Sequence, residues 1–412
     1  MLFRSYLAFF ICVTLYHMMG IAAGMVMRRW ILGYMLAILL VLFVNVLLPS
    51  LVSQLGLRFF QYLSVWPVIG QKVAPVVGIS AGADAFVSIF ADVPFYVWSL
   101  SPFVFTLLLQ GALIATFGIM AVRRWKSSTR HSLSKPYALA FLVGFVVVAI
   151  GNVWPIVTRR EMPSLPFPVQ SAESVAELVG AGLPYVYVYV VWILCLLLFA
   201  IVVPSHHHYV RGLRRALKHG RTSASRWDDD SASLIVYAMF AAAAVGGLTV
   251  LLREISAAGF FELLDPPPRP WRLTLTFALI LFYSALLFQA LGLRRTMLVV
   301  LLVWCLPILV TIVLAAATES FGKLHAALQS LSPIALLFMS GVAKPVADSG
   351  AIDDELAALA FGADIGLSVL SIQIAALWAK WRRHVKAYDA LCRPRGPLEP
   401  APAPPAEAAR PV

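Results

Sequence analysis

The sequence predicts an all-α polytopic membrane protein, and its composition and charge pattern both support this class. Hydrophobic residues make up 61% of the 412 positions and charged residues only 13%, which leaves too little polar surface for a water-soluble domain. The net charge of +12 comes from lysines and arginines that cluster at the ends of apolar runs. This clustering is typical of membrane topology, so we expect a lipid bilayer around the chain and no nucleic acid as a partner.

Nine apolar runs have roughly the 20 residues that are needed to cross a bilayer as a helix. We therefore expect about nine transmembrane helices inside a transmembrane domain of residues 1–386, followed by a disordered Pro/Ala-rich cytoplasmic tail of residues 387–412. The predicted spans are residues 6–26, 31–52, 102–122, 137–157, 183–203, 233–252, 273–293, 297–317 and 356–379.

A further apolar run, residues 326–341, is too short for a confident span and contains Pro333, which removes a backbone donor. It is predicted to be a re-entrant or interfacial hairpin. Nine spans then place the two termini on opposite sides of the membrane. Because most of the 32 lysines and arginines fall on the side of the C-terminal tail, we expect the N-terminus outside and the C-terminus in the cytoplasm.

A basic segment, PSHHHYVRGLRRALKHGR at residues 204–221, directly follows the fifth predicted span. As a helix it would carry apolar residues on one stripe and cations on another, so it could lie flat against an apolar surface. Two interpretations are open: a patch that orients the chain and attracts anionic lipid, or a helix that docks a protein partner. The candidate docking residues here are Tyr209, Val210, Arg211, Leu213, Arg214, Arg215, Leu217 and Lys218.

Polar side chains inside the predicted spans are costly in lipid and usually face other helices or a water-filled route. Asp364 lies between Gly362 and Gly366, and Gly20 and Gly24 repeat the same GxxxG spacing, which lets helices approach closely. Two interpretations are open: the polar residues line a substrate route or a helix contact, or their hydrogen-bonding groups are satisfied by a neighbouring helix. The candidates are His17, Gln110, Asn152, Gln289 and Asp364.

Signatures of catalysis and metal binding are weak. Gly78 to Gly82 match the GxSxG pattern of a nucleophilic serine, and Ser80 would need His325 as a base and Asp84 as an acid. In a chain with 25 glycines a chance match is expected, so a membrane-embedded serine hydrolase is only an alternative. Consecutive histidines at 206–208 point in different directions on a helix, and the four cysteines lack metal-ligand spacing, so we expect no metal and no disulfide.

No GxxxxGK[ST] motif occurs in the chain, so it has no P-loop for ATP. We therefore expect that the protein is not an enzyme and holds no cofactor of its own. Any uphill transport would take its energy from a partner or from an ion gradient.

Three blocks of residues 100–385 give the chain a resemblance to the permease subunits of ABC-2-type transporters. The first is RRWKSSTRHSLSKPYALAF at 123–141, and the second is the basic segment with Trp227 and Asp228 after it. The third comprises the paired spans around residues 293–295, followed by LSPIALLF at 331–338 and a last span that ends in basic residues.

The resemblance implies a permease of the bacterial cytoplasmic membrane that forms a homodimer or heterodimer with a second permease chain. Each permease would contact an ABC ATPase subunit, and ATP would bind only to that partner. Short cytoplasmic helices would receive the motion of the ATPases, which carries over to residues 209–218 and to Arg123, Arg124 and Lys126 in the block 123–135. A membrane anchor or assembly subunit that does not transport is the alternative.

Overall fold

The computed structural model is a bundle of long apolar helices. It describes residues 2–26, 30–42, 62–63, 93–126, 131–159, 182–204, 206–218, 227–229, 231, 233–261, 270–291, 293–318, 322–342 and 354–392. Seven of the helices are long and apolar enough to cross a membrane, which agrees with a helical membrane protein. These stretches are Tyr6–Gly24, Pro102–Lys126, Lys135–Thr158, Leu183–Val202, Leu234–Ala257, Pro270–Leu291 and Ala358–Ala387.

The elements follow one another with short connections where these are described. A two-stranded hairpin, β1 (Val93–Phe95) and β2 (Trp98–Leu100), precedes the third helix. A π-helical segment, Val300–Cys305, separates α9 from α10. The helices are α1 (Leu2–Val26), α2 (Trp30–Leu42), α3 (Pro102–Lys126), α4 (Lys135–Arg159), α5 (Leu183–Val202), α6 (His206–Lys218), α7 (Leu234–Ala257), α8 (Pro270–Leu291), α9 (Leu293–Val299), α10 (Leu306–Thr318), α11 (Lys323–Gln329), α12 (Pro333–Val342) and α13 (Asp354–Cys392).

The helix α8 forms the centre of the bundle and contacts α5, α7, α9, α12 and α13. Every residue from Tyr283 to Ala290 is buried. Proline occupies the first position of α3, α8 and α12, where its missing N–H costs nothing because the first turn lacks acceptors.

The ends of α3, α5, α8 and α13 share one side of the bundle, which we call the basic end. Segments that connect there touch one another: His131 before α4 hydrogen-bonds to Ile201 near the end of α5, and Arg123 at the end of α3 bonds to Asp229 before α7. The structure therefore gathers at one end the predicted cytoplasmic segments 123–136 and 204–232, as far as they are described.

The helices α8 and α13 run parallel, and this fixes the path between them. Arg272 in the first turn of α8 pairs with Asp364 early in α13, and Phe282 further along α8 stacks near Trp378, with ring centroids 5.9 Å apart. Because α8 and α13 run in the same direction, the chain between them has to cross the bundle once in the opposite direction. The segment from α9 through the π segment to α10 makes this crossing. The short helices α11 and α12 therefore add no net crossing.

The pair α11 and α12 forms a helical hairpin that enters the bundle and returns to the same end. The backbone of α11 descends beside α13, since Ala326 lies against Gly362 and Ser330 against Gly366. At the turn, Ser332 Oγ donates to the carbonyl of Trp304 at 2.6 Å, and Trp304 stacks at 4.9 Å on Trp192, which lies midway along α5. The turn thus reaches about the middle of the bundle.

The helix α12 then climbs back along α5 to the end opposite the basic end. Tyr189 donates a hydrogen bond to the carbonyl of Ile334 at 2.7 Å, and Tyr185, nearer the start of α5, donates to Phe338 at 3.1 Å. The tyrosine nearer the start of α5 therefore contacts the later residue of α12. This order shows that α12 runs from the middle of the bundle towards the end where α5 begins. Residues 326–341 therefore form a hairpin within the bundle, while the predicted re-entrant or interfacial position in a membrane stays a prediction.

The β-hairpin packs on the second half of α4, at the end opposite the basic end. The Tyr96 amide donates to the carbonyl of Gly151 at 2.8 Å, and its hydroxyl donates to Val147 at 3.0 Å. Only glycine fits at 151, because a Cβ there would lie 2.4 Å from the Tyr96 ring. Burial raises the pKa of the Tyr96 phenol, which keeps the hydroxyl protonated as a donor.

One predicted span lies partly outside the described residues, another contains the π segment, and the predicted tail begins inside a helix. The span 31–52 is described only as α2, which has 13 residues, and the span 297–317 is divided by the π segment, so the count of nine stays a prediction. The helix α13 continues to Cys392. The first residues of the predicted tail, 387–392, are therefore helical rather than disordered, and residues 393–412 lie outside the described part.

Candidate functional site

The helix α6 is the strongest candidate for a docking surface. It begins only four residues after α5 ends and lies at the basic end. Leu213 is 7% exposed, the helix packs against α13, and its neighbour Gly212 is buried as well. The exposed side chains described on this helix are all cationic, and they recur every three or four residues on one face: Arg211, Arg214, Arg215 and Lys218.

The predicted stripes are therefore present where the side chains are described. Leu213 lies on the buried side, while Tyr209 and Val210 are half-buried. The side chain of Leu217 and those of the three histidines 206–208 lie outside the description. The buried Leu213 therefore lies on the side of the helix opposite its exposed cations.

A network of hydrogen bonds at the basic end fixes the chain that follows α6, and we call it the latch. Lys135, at the start of α4, is 1% exposed. Its Nζ donates to the carbonyls of Asp228 and Ser231 at 2.7 and 2.6 Å and to Ser231 Oγ at 2.9 Å. Arg123 from α3 forms an ion pair with Asp229 at 2.5 Å. Three donors on one ammonium satisfy three oxygens, which compensates for the burial of the cation.

The chain that precedes α6 is held by the same connection. The carbonyl of Ile201, near the end of α5, lies 2.9 Å from His131 Nδ1, and the His131 carbonyl in turn accepts a bond from Arg123 Nε at 3.3 Å. The connection between α3 and α4 thus binds the chain on both sides of α6.

The three docking candidates on α3 differ from one another. Arg123 is engaged by Asp229 within the chain, so its role in this structure is structural. Arg124 is half-buried, and Lys126 is exposed. Lys135 is not among the candidates predicted from the sequence, because a lysine beside a predicted span is most simply interpreted as one more cytoplasmic cation. Its burial comes from residues 228 and 231, which are distant from it in sequence.

The five intramembrane polar candidates lie on five different helices: His17 on α1, Gln110 on α3, Asn152 on α4, Gln289 on α8 and Asp364 on α13. Gln110, Asn152 and Gln289 are buried, and the amide of Gln110 donates to the Leu63 carbonyl at 2.9 Å. His17 is exposed on the bundle surface.

Asp364 is bound by Arg272, which lies just before the predicted span 273–293. Its carboxylate, in a side chain 64% exposed, pairs with the Arg272 guanidinium, whose side chain is 15% exposed. The Arg272 guanidinium also lies over the Trp271 ring at 5.9 Å. The ion pair joins the first turn of α8 to α13, beside the hairpin of α11 and α12. Asp364 thus makes a contact between helices, which is one of the roles left open by the sequence.

The two GxxxG motifs behave differently. A Cβ added at Gly362 would lie 2.8 Å from the Ala326 carbonyl oxygen, and one at Gly366 would lie 2.7 Å from the Ser330 oxygen. These glycines therefore allow the backbones of α11 and α13 to touch, as the spacing predicts. At Gly20 and Gly24 nothing lies within 4 Å, so this pair makes no such approach within the described chain.

The hydrolase alternative gains nothing from the described residues. Ser80 and Asp84 lie outside them, and Nδ1 of His325 accepts a hydrogen bond from the Gly322 amide at 3.2 Å, where it caps α11. Among the side chains that the structure describes, no group of three or more histidines, cysteines or carboxylates could hold a metal ion.

The comparisons with known proteins leave the site to be interpreted from its own geometry. No family model, no curated protein and no solved structure matches this chain.

Proposed function

We propose that this chain is the permease component of an ABC-2-type exporter, energised by a separate ATPase subunit. The observation that carries the proposal is the position of α6, a basic helix between two apolar spans that buries Leu213 against α13 and exposes its cations. A helix held in this way presents a charged surface to a partner, because its apolar side is already packed within the protein. It carries charge complementary to an acidic groove on an ATPase.

The latch supports a role in transmitting motion. The bonds of His131, Lys135 and Arg123 join the described chain before and after α6 to α3, α4 and α5. In this proposal a displacement of α6 acts on these helices through them. The contact with α13 adds a fourth long helix. Interfaces packed in this way move between discrete arrangements rather than deforming continuously, which suits alternating access.

In this proposal the basic end faces the cytoplasm of a bacterium, the N-terminus lies outside and about nine helices span the membrane. A second permease chain, identical or different, completes the transporter. ATP binds to the ATPase partner, and this chain contributes the membrane route.

The test is the dependence of ATPase binding on α6. The full chain is purified from its native membranes, co-purifying proteins with a P-loop are identified, and ATP hydrolysis is measured with and without the chain. A variant with Arg211, Arg214, Arg215 and Lys218 changed to Glu should release the ATPase and abolish chain-dependent hydrolysis. The matched control is Arg253→Glu with Lys323→Glu, two exposed cations at the opposite end, which should retain both. If the variant with four glutamates still binds the ATPase, α6 is not the docking site.

A membrane anchor that does not transport is the second candidate, and the rigidity of the latch favours it. A helix fixed on both sides can serve as a static platform for a cytoplasmic partner. A partner without a P-loop, bound through the same cations and without any ATP hydrolysis, would identify the anchor.

A further inference from the structure

Between Ile372 and Lys386, the exposed side of α13 changes from apolar to basic. Its exposed positions recur every three or four residues, as expected for one side of a helix. Ile372, 69% exposed, is followed on this side by three alanines up to Ala379. The next exposed positions are Arg382, Arg383 and Lys386. The apolar stripe and the three cations therefore face in the same direction.

Aromatic residues lie at the level of this change. Trp378 stacks near Phe282 of α8 and lies 5.3 Å from the Trp381 ring. The end of α3 has the same order, since exposed Val122 is followed by Trp125, 84% exposed, and then by Lys126. Tryptophan between apolar residues and cations is typical of the bilayer interface, where hydrocarbon gives way to headgroups.

We propose that Arg382, Arg383 and Lys386 bind the headgroups of anionic phospholipids in the leaflet at the basic end. These cations continue a face that is turned to lipid, so the first groups they meet are phosphates of the same leaflet. The described exposed side chains of α6, in contrast, are all cations. The basic end thus carries two surfaces: α13 faces lipid, and α6 faces the aqueous phase. The lipid surface does not depend on the proposed transport function.

The test compares two lipids with the same acyl chains. The full chain is purified in a mild detergent, and its apparent melting temperature is measured with phosphatidylglycerol, with phosphatidylcholine and with inorganic phosphate. Phosphatidylglycerol should raise the melting temperature above the value in phosphatidylcholine, and inorganic phosphate should not. Each cation removed should weaken the apparent affinity for phosphatidylglycerol about fivefold.

Two variants with the same loss of charge separate the surfaces. Arg382→Gln/Arg383→Gln/Lys386→Gln should lose most of the shift caused by phosphatidylglycerol, whereas Arg211→Gln/Arg214→Gln/Lys218→Gln should keep it. If the first variant does not fold, Lys386→Gln alone is used, and the amount of phosphatidylglycerol that co-purifies per chain should fall. An unchanged shift in the α13 variant, an equal loss in both variants, or the same shift with inorganic phosphate would each overturn the proposal.

Discussion

The contact between α11 and α13 predicts that the two GxxxG motifs differ in their tolerance of a methyl group. In Gly366→Ala the new Cβ would lie 2.7 Å from both the Ser330 carbonyl oxygen and a methyl carbon of Leu336. Both distances are far shorter than the 3.5–4.0 Å, roughly, of an ordinary carbon contact. Because the oxygen belongs to backbone, α11 has to move, and overpacking of this kind costs about 1–3 kcal/mol. The better helix propensity of alanine returns about 1 kcal/mol, which leaves a net loss of roughly 0–2 kcal/mol, centred on about 1 kcal/mol.

Gly20→Ala is the matched control, since it makes the same change in the same motif inside another apolar helix. Nothing lies within 4 Å of its added Cβ, so only the gain in helix propensity remains, and this variant should be neutral or slightly stabilised. The two variants should therefore differ by a few degrees in apparent melting temperature.

The melting temperature can be followed with a dye that fluoresces on reaction with thiols. Cys195 is fully buried in α5, so it reacts only when the bundle opens. Gly366→Ala should melt below the wild type, with Gly20→Ala at or above it. If Gly366→Ala melts with the wild type, or both variants fall by the same amount, the hairpin of α11 and α12 does not lie against α13 as described.

Three further predictions concern the charges and the two ends of the bundle. Lys135→Met should destabilise the fold by about 2 kcal/mol, because it removes a charged donor from buried oxygens, whereas Lys126→Met on the exposed end of α3 should melt like the wild type. Asp364→Asn should cost about 1–2 kcal/mol, since it leaves the largely buried Arg272 without its counter-ion. Arg272→Gln should cost less, because the carboxylate it abandons is exposed; equal melting temperatures for these two variants would contradict the ion pair. Cysteines placed at Val97 and at Lys126 should react with an impermeant reagent from opposite sides of the membrane, and labelling of both from one side would contradict the arrangement of the ends.

Hydropathy was sufficient to locate the long helices, because a backbone in lipid has to satisfy its own hydrogen bonds and an apolar run of the right length leaves the helix as its solution. It also located the hairpin of α11 and α12, since Pro333 and the shortness of the run excluded a span. It could not locate the π segment, which depends on how Trp304 packs against Trp192 and Ser332 rather than on composition.

The β-hairpin gave no signal of its own. Its turn contains neither glycine nor asparagine, and Tyr96 adopts a positive φ of 52° that a bulky residue rarely takes. Its bonds to α4 hold it there, and they join residues more than fifty positions apart in sequence. The latch was hidden for a similar reason, because the sequence shows the charge of Lys135 but not what covers it.

The hairpin of α11 and α12 also has a consequence for biogenesis. Its turn places Ser330 and Ser332 in the middle of the bundle. Lipid hydrocarbon at this depth would provide no hydrogen-bond partners for their polar groups. The glycines that receive α11 belong to α13, which leaves the ribosome later than the hairpin itself. The hairpin therefore has to wait at the membrane surface, or inside the insertion machinery, until α13 has been synthesised. It can settle only after α13 is in place.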